Sequence, residues 1–156
     1  MNIKWLTLQS YIDWIKNWVF SFQDVLASYI KRLDSDAKNA FITQFDQPFS
    51  HENRELHPLA WVPIALKDNI LVADHLTSCW SQMLANYIAP YSATCYKKLI
   101  DNWANIIGKT NMDEFAIGSS WETSHYWPII NPYWSNRIPW WSSSGSAVAV
   151  SDDLAI

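Results

Sequence analysis

The sequence predicts an α/β fold, and three observations carry the prediction. Val62-Pro63-Ile64-Ala65-Leu66 is an apolar run of strand length that ends on Lys67. Helix-like and strand-like segments then alternate over residues 78–107, the pattern of α/β organisation. Near the end, the small residues 142–146 break into Ala147-Val148-Ala149-Val150, a run suited to a close-packed helix.

The elements follow in order. Leu8, Tyr11, Ile12 and Ile15 stand at helical spacing and predict a short helix over residues 7–15. Ser21, with Asp24 three residues on, has the form of a helix start. Phe22, Val25, Leu26, Tyr29, Ile30 and Leu33 line one face of the helix behind it. Residues 14–18 fall between the two helices and are assigned to a turn, although they hold no Gly. Residues 39–45 read as a short extended segment, and residues 45–59 as a polar surface loop with His51 and His57. The strand at 62–66 delivers Lys67 at its C-terminal end, where open α/β sheets place functional groups. Residues 78–88 are expected to form a helix that Pro90-Tyr91 breaks, and residues 93–102 a second helix. Ala104-Asn105-Ile106-Ile107 is a short strand ended by Gly108. Gly118-Ser119-Ser120 is a small loop, residues 126–136 are aromatic loop, and residues 146–154 begin a helix.

Composition narrows the function. At 156 residues the chain is one domain's worth, or a piece of a larger one. A net charge of −4 argues against a protein built mainly to hold nucleic acid phosphates. Cys79 and Cys95 make neither a disulfide framework nor a metal set, which favours a reduced, cytoplasmic compartment. No apolar run approaches membrane-spanning length, and Met1-Asn2-Ile3-Lys4-Trp5 lacks a signal-peptide core. One ratio is abnormal: the chain has 11 Trp and 3 Gly. Average usage of about 7% Gly would give roughly eleven. Loops need Gly for positive φ, so turns in this chain should be unusual.

Residue chemistry alone leaves the site open. A lysine partly desolvated at a strand end can lose proton affinity and act as a base, and a serine needs such a partner to become a nucleophile. Lys67 and Ser142 could form that pair, yet an ordinary solvated lysine and a polar turn with a helix cap are the simpler reading. Small residues at a helix N-terminus also free backbone N–H groups to converge on an anion. His51, His57, His75 and His125 show no ligand spacing, and no metal site is expected. Cys79 and Cys95 read as helix-face residues. Asp113 and Glu114 are adjacent, do not share a helix face, and suit a helix N-terminus better than acid–base work.

Taken together, three segments resemble the amidase signature family. Trp61-Val62-Pro63-Ile64-Ala65-Leu66-Lys67-Asp68-Asn69 is similar to the family strand that bears its lysine, with Trp61 in place of Gly. The run Ile107-Gly108-Lys109-Thr110-Asn111-Met112-Asp113-Glu114-Phe115-Ala116-Ile117-Gly118-Ser119-Ser120 resembles the central segment. Its Met-Asp-Glu-Phe variant is that of the branch formed by A subunits of glutamyl-tRNA(Gln) and aspartyl-tRNA(Asn) amidotransferases. Arg137-Ile138-Pro139-Trp140-Trp141-Ser142-Ser143-Ser144-Gly145-Ser146 is similar to the signature's Gly-Gly-Ser-Ser-Gly-Gly-Ser loop.

The resemblance implies a fold and a chemistry. The fold is the N-terminal, incomplete part of a single amidase domain, a mixed sheet covered by helices. Residues 1–60 would be a helical lead-in and loop, and residues 61–156 the start of the core. Lys67 is implied as the base and Ser142 as a bridging serine in a cis peptide. Gly118, Ser119, Ser120 and Ser143 are implied in the substrate and oxyanion loops. The nucleophilic serine is expected beyond Ile156, so these 156 residues alone are expected to be inactive. The implied reaction is glutamine hydrolysis, supplying ammonia that converts a glutamyl- or aspartyl-tRNA to its amide. The implied partners are the B and C subunits of a heterotrimer, with tRNA held mainly by B and no membrane. No cofactor is implied here, since ATP and Mg belong to the partner. Two other readings are a stand-alone amidase of the same family and a non-catalytic Trp-rich binding module. The departures form a pattern, because Trp61, Trp103, Trp127, Trp140 and Trp141 all stand where the family has Gly. Trp14 and Trp18 fall at expected turns. The expectation is a gene in which UGA encodes glycine, rendered with a table in which it encodes tryptophan. Ser144 also replaces a Gly, which UGA does not explain.

Overall fold

A computed structural model describes residues 5–17, 19–45, 57, 59–60, 62–118, 125, 127–139 and 141–156. Two helices lead the chain. In α1, Leu8–Lys16, Thr7 accepts a hydrogen bond from the Ser10 backbone and the Ser10 hydroxyl accepts one in return, closing a capping box. Ser21 and Asp24 make the same reciprocal cap for α2, Phe22–Leu33. Trp14 lies inside α1 and packs edge-on against Phe20, so the turn between the helices is shorter than expected. Its ring covers an apolar cluster built on Leu6, Tyr11, Val25, Tyr29 and Val62.

A mixed three-stranded sheet forms the centre, in the order β1-β3-β2. Strand β1, Phe41–Gln44, runs antiparallel to β3, Asn105–Thr110, and β2, Pro63–Lys67, runs parallel to it. The parallel pair is joined through helix α3, Thr94–Asp101. Helix α4, Ser144–Ser151, closes the described chain. Strand alternation sends neighbouring residues to opposite faces. Ile107 joins Phe41, Leu26, Val148 and Ala149 under α2 and α4, whereas Ile106 joins Leu66 and Val72 beside the α3 residues Tyr96, Leu99 and Ile100. Every residue of β3 is buried, as expected for a central strand with both faces covered.

Four expectations need correction. Residues 78–88 form no α-helix. They hold a 3₁₀ turn, Gln82–Leu84, and a bridge between Leu76 and Ile88. Cys79 and Trp80 both have positive φ, 48° and 58°, which turns the chain where a helix would need to continue. Cys79 therefore sits in a turn rather than on a helix face, while Cys95 is exposed on α3. Gly108 does not end β3 but lies within it. A Cβ there would run into the Thr43 carbonyl oxygen and stand 3.0 Å from Phe41 Cδ1. Helix α4 starts at Ser144, two residues early, so only the front of the serine run is loop. Last, all peptide bonds between described residues are trans, including the one entering Ser142. A cis bond without proline costs about 3–4 kcal/mol and needs surroundings that enforce it. Here Trp141 occupies the preceding position with φ 73°, and Ser142 reaches Lys67 from a trans bond.

Candidate active site

The end of β2 meets the start of α4. Lys67 is the last residue of β2, and its Nζ donates to Ser142 Oγ at 3.0 Å and to Ser143 Oγ at 2.8 Å. The sequence could not bring these residues together, since they stand 75 and 76 positions apart. Lys67 and Ser142 are half-buried and Ser143 is exposed, so the cluster opens to solvent. Burial lowers the Lys67 pKa, and the Asp113 carboxylate opposes that shift. A lysine held this way carries more neutral amine near neutral pH than a solvated one, as a general base requires.

Two contacts set the α4 start against the strands. Thr110 faces Lys67 in the β2–β3 register, and its Oγ1 lies 2.7 Å from Ser146 Oγ. The Asp68 N–H bonds to Thr110 O at 3.2 Å, extending the ladder one step past Lys67. Gly145 lies against the backbone that follows β3. A Cβ there would overlap the Asn111 carbonyl oxygen and approach Ala40 O to 2.8 Å. Only Gly allows the helix this close to the chain beneath it. Asn111 is itself pinned, its N–H bonding to Ala40 O and its amide to Asn39 O.

A second assembly, built on the buried Lys109, Asp68 and Thr77, lies behind the strand end. Lys109 Nζ sits 2.9 Å from Asp68 Oδ1 and donates to Thr77 Oγ1 and to the Asp68 and Leu76 carbonyls. Asp68 Oδ2 accepts from the Ser78 N–H and hydroxyl at 2.9 and 2.7 Å. Burial pushes the Lys109 pKa down and Asp68 draws it back up. This pair ties the residue after Lys67 to β3 and to the turn at 77–78. Reading the sequence does not pair Lys109 with Asp68. The available signal is two charged residues inside segments otherwise patterned for burial.

The remaining sequence candidates are placed as follows. Asp113 is buried beside the serine loop, its N–H 3.4 Å from Ser142 O. It precedes only a 3₁₀ turn, Glu114–Ala116, and makes no side-chain cap there, which corrects the helix-charge reading. Gly118 follows that turn and is half-buried, while Ser119 and Ser120 lie outside the described residues. So do His51, Trp18, Trp61, Trp121 and Trp140. His75 bonds the Ala73 carbonyl through Nδ1, and His57 stacks on Trp103 at 4.6 Å. Among the described residues no three His, Cys, Asp or Glu side chains group as metal ligands. Among them, too, no helix is long and apolar enough to cross a membrane. Among the described residues the tryptophans share no common surrounding, since Trp80 is fully buried and Trp134 is exposed.

Known proteins resemble this chain in sequence and in fold. Residues 21–156 match the amidase family. The A subunit of the glutamyl-tRNA(Gln) amidotransferase from Methanosarcina acetivorans is 42% identical over 156 residues, covering 97% of this chain and 32% of that one. Its namesake from Deinococcus radiodurans is 56% identical over 101 residues, covering 65% of this chain and 21% of that one. The crystal structure of the corresponding Thermotoga maritima protein, also an A subunit of glutamyl-tRNA(Gln) amidotransferase, superposes with a TM-score of 0.78. It is 31% identical and covers 100% of this chain and 34% of that one. A 6-aminohexanoate cyclic dimer hydrolase, 20% identical, shares the fold with a TM-score of 0.84, over 97% of this chain and 32% of that one. The chain thus spans about a third of the length of these full-coverage relatives.

Proposed function

The chain belongs to the amidase family, and from that premise we propose that it is part of the glutaminase subunit of a tRNA-dependent amidotransferase. The observation that carries this reading is the contact of Lys67 Nζ with Ser142 and Ser143. The amidotransferase A subunits among its relatives support the choice of substrate.

In the proposed mechanism the neutral Lys67 amine takes the Ser142 hydroxyl proton as Ser142 takes one from the nucleophilic serine. That nucleophile is proposed to lie outside these 156 residues. The nucleophile's oxygen bonds to the glutamine side-chain carbonyl carbon, giving a tetrahedral oxyanion. Its collapse breaks the C–N bond, and the proton held by Lys67 returns through Ser142 to the leaving nitrogen, which departs as ammonia. A glutamyl ester remains, and water hydrolyses it by the same relay. Gly118, Ser119, Ser120 and Ser143 are proposed to line the substrate and oxyanion loops.

B and C subunits are the proposed partners, in the cytoplasm. The partner that carries the amide transfer would bind ATP and Mg and hold most of the tRNA, so that the ammonia amidates a glutamyl- or aspartyl-tRNA. The acidic balance of this chain agrees with a tRNA held elsewhere.

The test is ammonia release from glutamine by the full-length protein in its complex. Lys67→Ala and Ser142→Ala should each lower kcat by about 10²–10⁴-fold, the range of a lost general base. Undiminished glutamine turnover in Lys67→Ala would remove the proposal.

A further inference from the structure

Of the seven tryptophans among the described residues, four occupy the left-handed backbone region. Their φ angles are 58° at Trp5, 58° at Trp80, 67° at Trp103 and 73° at Trp141. No described glycine has positive φ. Ten described residues other than glycine do, and three of them are Asn or Asp, whose short polar side chains tolerate it. Tryptophan supplies four of those ten although it makes up 11 of 156 residues. A bulky side chain is the wrong choice at every one.

The local geometry shows what each position asks for. Trp103 follows the C-cap Asn102 of α3. Its N–H bonds to Ile100 O at 2.8 Å, and the Ala104 N–H reaches back to Leu99 O at 3.0 Å. That pair of hydrogen bonds is a Schellman motif, and Trp103 holds its left-handed position, the one Gly normally fills. Helix α4 ends in the same motif, with Leu154 N–H on Ala149 O and Asp153 N–H on Val150 O. There Asp153, a tolerated residue, takes φ 58°. Trp80 is the second central residue of the turn that Ser81 N–H closes on Ser78 O at 2.9 Å. Positive φ at both central residues is the mark of a type I′ turn, which selects Asn, Asp and Gly. Trp141 immediately precedes Ser142, in the loop that approaches Lys67.

The rings share no single packing role: Trp103 stacks on His57 and Trp80 meets Trp127 edge-on. Trp80 is fully buried, whereas Trp5 and Trp141 are 62% and 63% exposed. What the four share is a backbone conformation, not a surrounding.

We infer that Trp5, Trp80, Trp103 and Trp141 are glycine in the protein as its own cell makes it, the codon at each being UGA read by a glycine tRNA. UGA is one base from UGG, a tryptophan codon, and one base from GGA, a glycine codon. A single anticodon change in either tRNA reaches it, so one codon can carry both readings. If all eleven tryptophans were so encoded, the chain would hold fourteen glycines and no tryptophan. That is close to the ~7% glycine of ordinary domains. The inference stands on backbone geometry and composition and does not depend on the proposed reaction.

The experiment reads the four codons in the DNA and the masses of the corresponding peptides from the full-length protein isolated from its native cell. The expected result is UGA at all four, with each peptide lighter by the difference between a tryptophan and a glycine residue. UGG at any of the four, or UGA with a tryptophan mass in the peptide, would overturn it.

Discussion

At the scale of single residues, the proton affinity of Lys67 is set by two opposed surroundings. Burial lowers it and Asp113 raises it. The active form of a base is the neutral one, so kcat/KM of the full-length enzyme should rise with pH along a limb lying below the ordinary lysine range. Removing the opposing charge with Asp113→Asn should move that limb to still lower pH, readable in a pH–rate profile. The same depression means that the folded state binds fewer protons than the unfolded one between the two pKa values. Across that window the Lys67 contribution to stability grows with pH and does not fall. Gly145 is the residue with least freedom. Gly145→Ala must force α4 off Asn111. A loss of about 1–3 kcal/mol in thermal unfolding is expected, the cost of overpacking. Lys67 was legible in the sequence because it interrupts an apolar run at a strand end. Asp113 was not, because a carboxylate beside another carboxylate looks like helix-start charge until the chain is folded.

At the scale of elements, caps and buried charge decide the boundaries. Ser21→Ala removes one half of a reciprocal cap on α2 and should cost about 1 kcal/mol in chemical denaturation. The Lys109–Asp68 pair binds β3 to the end of β2 and to the turn at 77–78. Lys109→Met would leave Asp68 buried with its ion-pair partner gone. About 3–5 kcal/mol should be lost on the same measurement, well beyond the Ser21 effect. Helices α1 and α2 could be read directly, since apolar spacing and capping residues agree there, whereas α3 starts after Ala93 with no side-chain cap and is legible from its pattern alone. The segment 78–88 could not. Its apolar spacing resembles a helix, and the left-handed turn that breaks it falls on Cys79 and Trp80, residues that carry no turn signal.

At the scale of the whole chain, the sheet order was beyond the sequence, because antiparallel β1 and parallel β2 flank β3 through long-range pairing. The α/β class was within its reach, since helix and strand patterns alternate before any pairing is known. The site is a product of that topology: Lys67 and Ser142 are neighbours in space and 75 residues apart in the chain. Synthesis at about 5–20 residues per second separates their appearance by about 4–15 s. During that interval β2 and β3 can already pair, but the lysine has no serine to hold and the sheet face that α4 will cover is bare. The nascent chain therefore carries an unpaired amine and an apolar surface through the same few seconds, and the arrival of one small-residue helix with the loop before it covers the surface and gives the amine its serines.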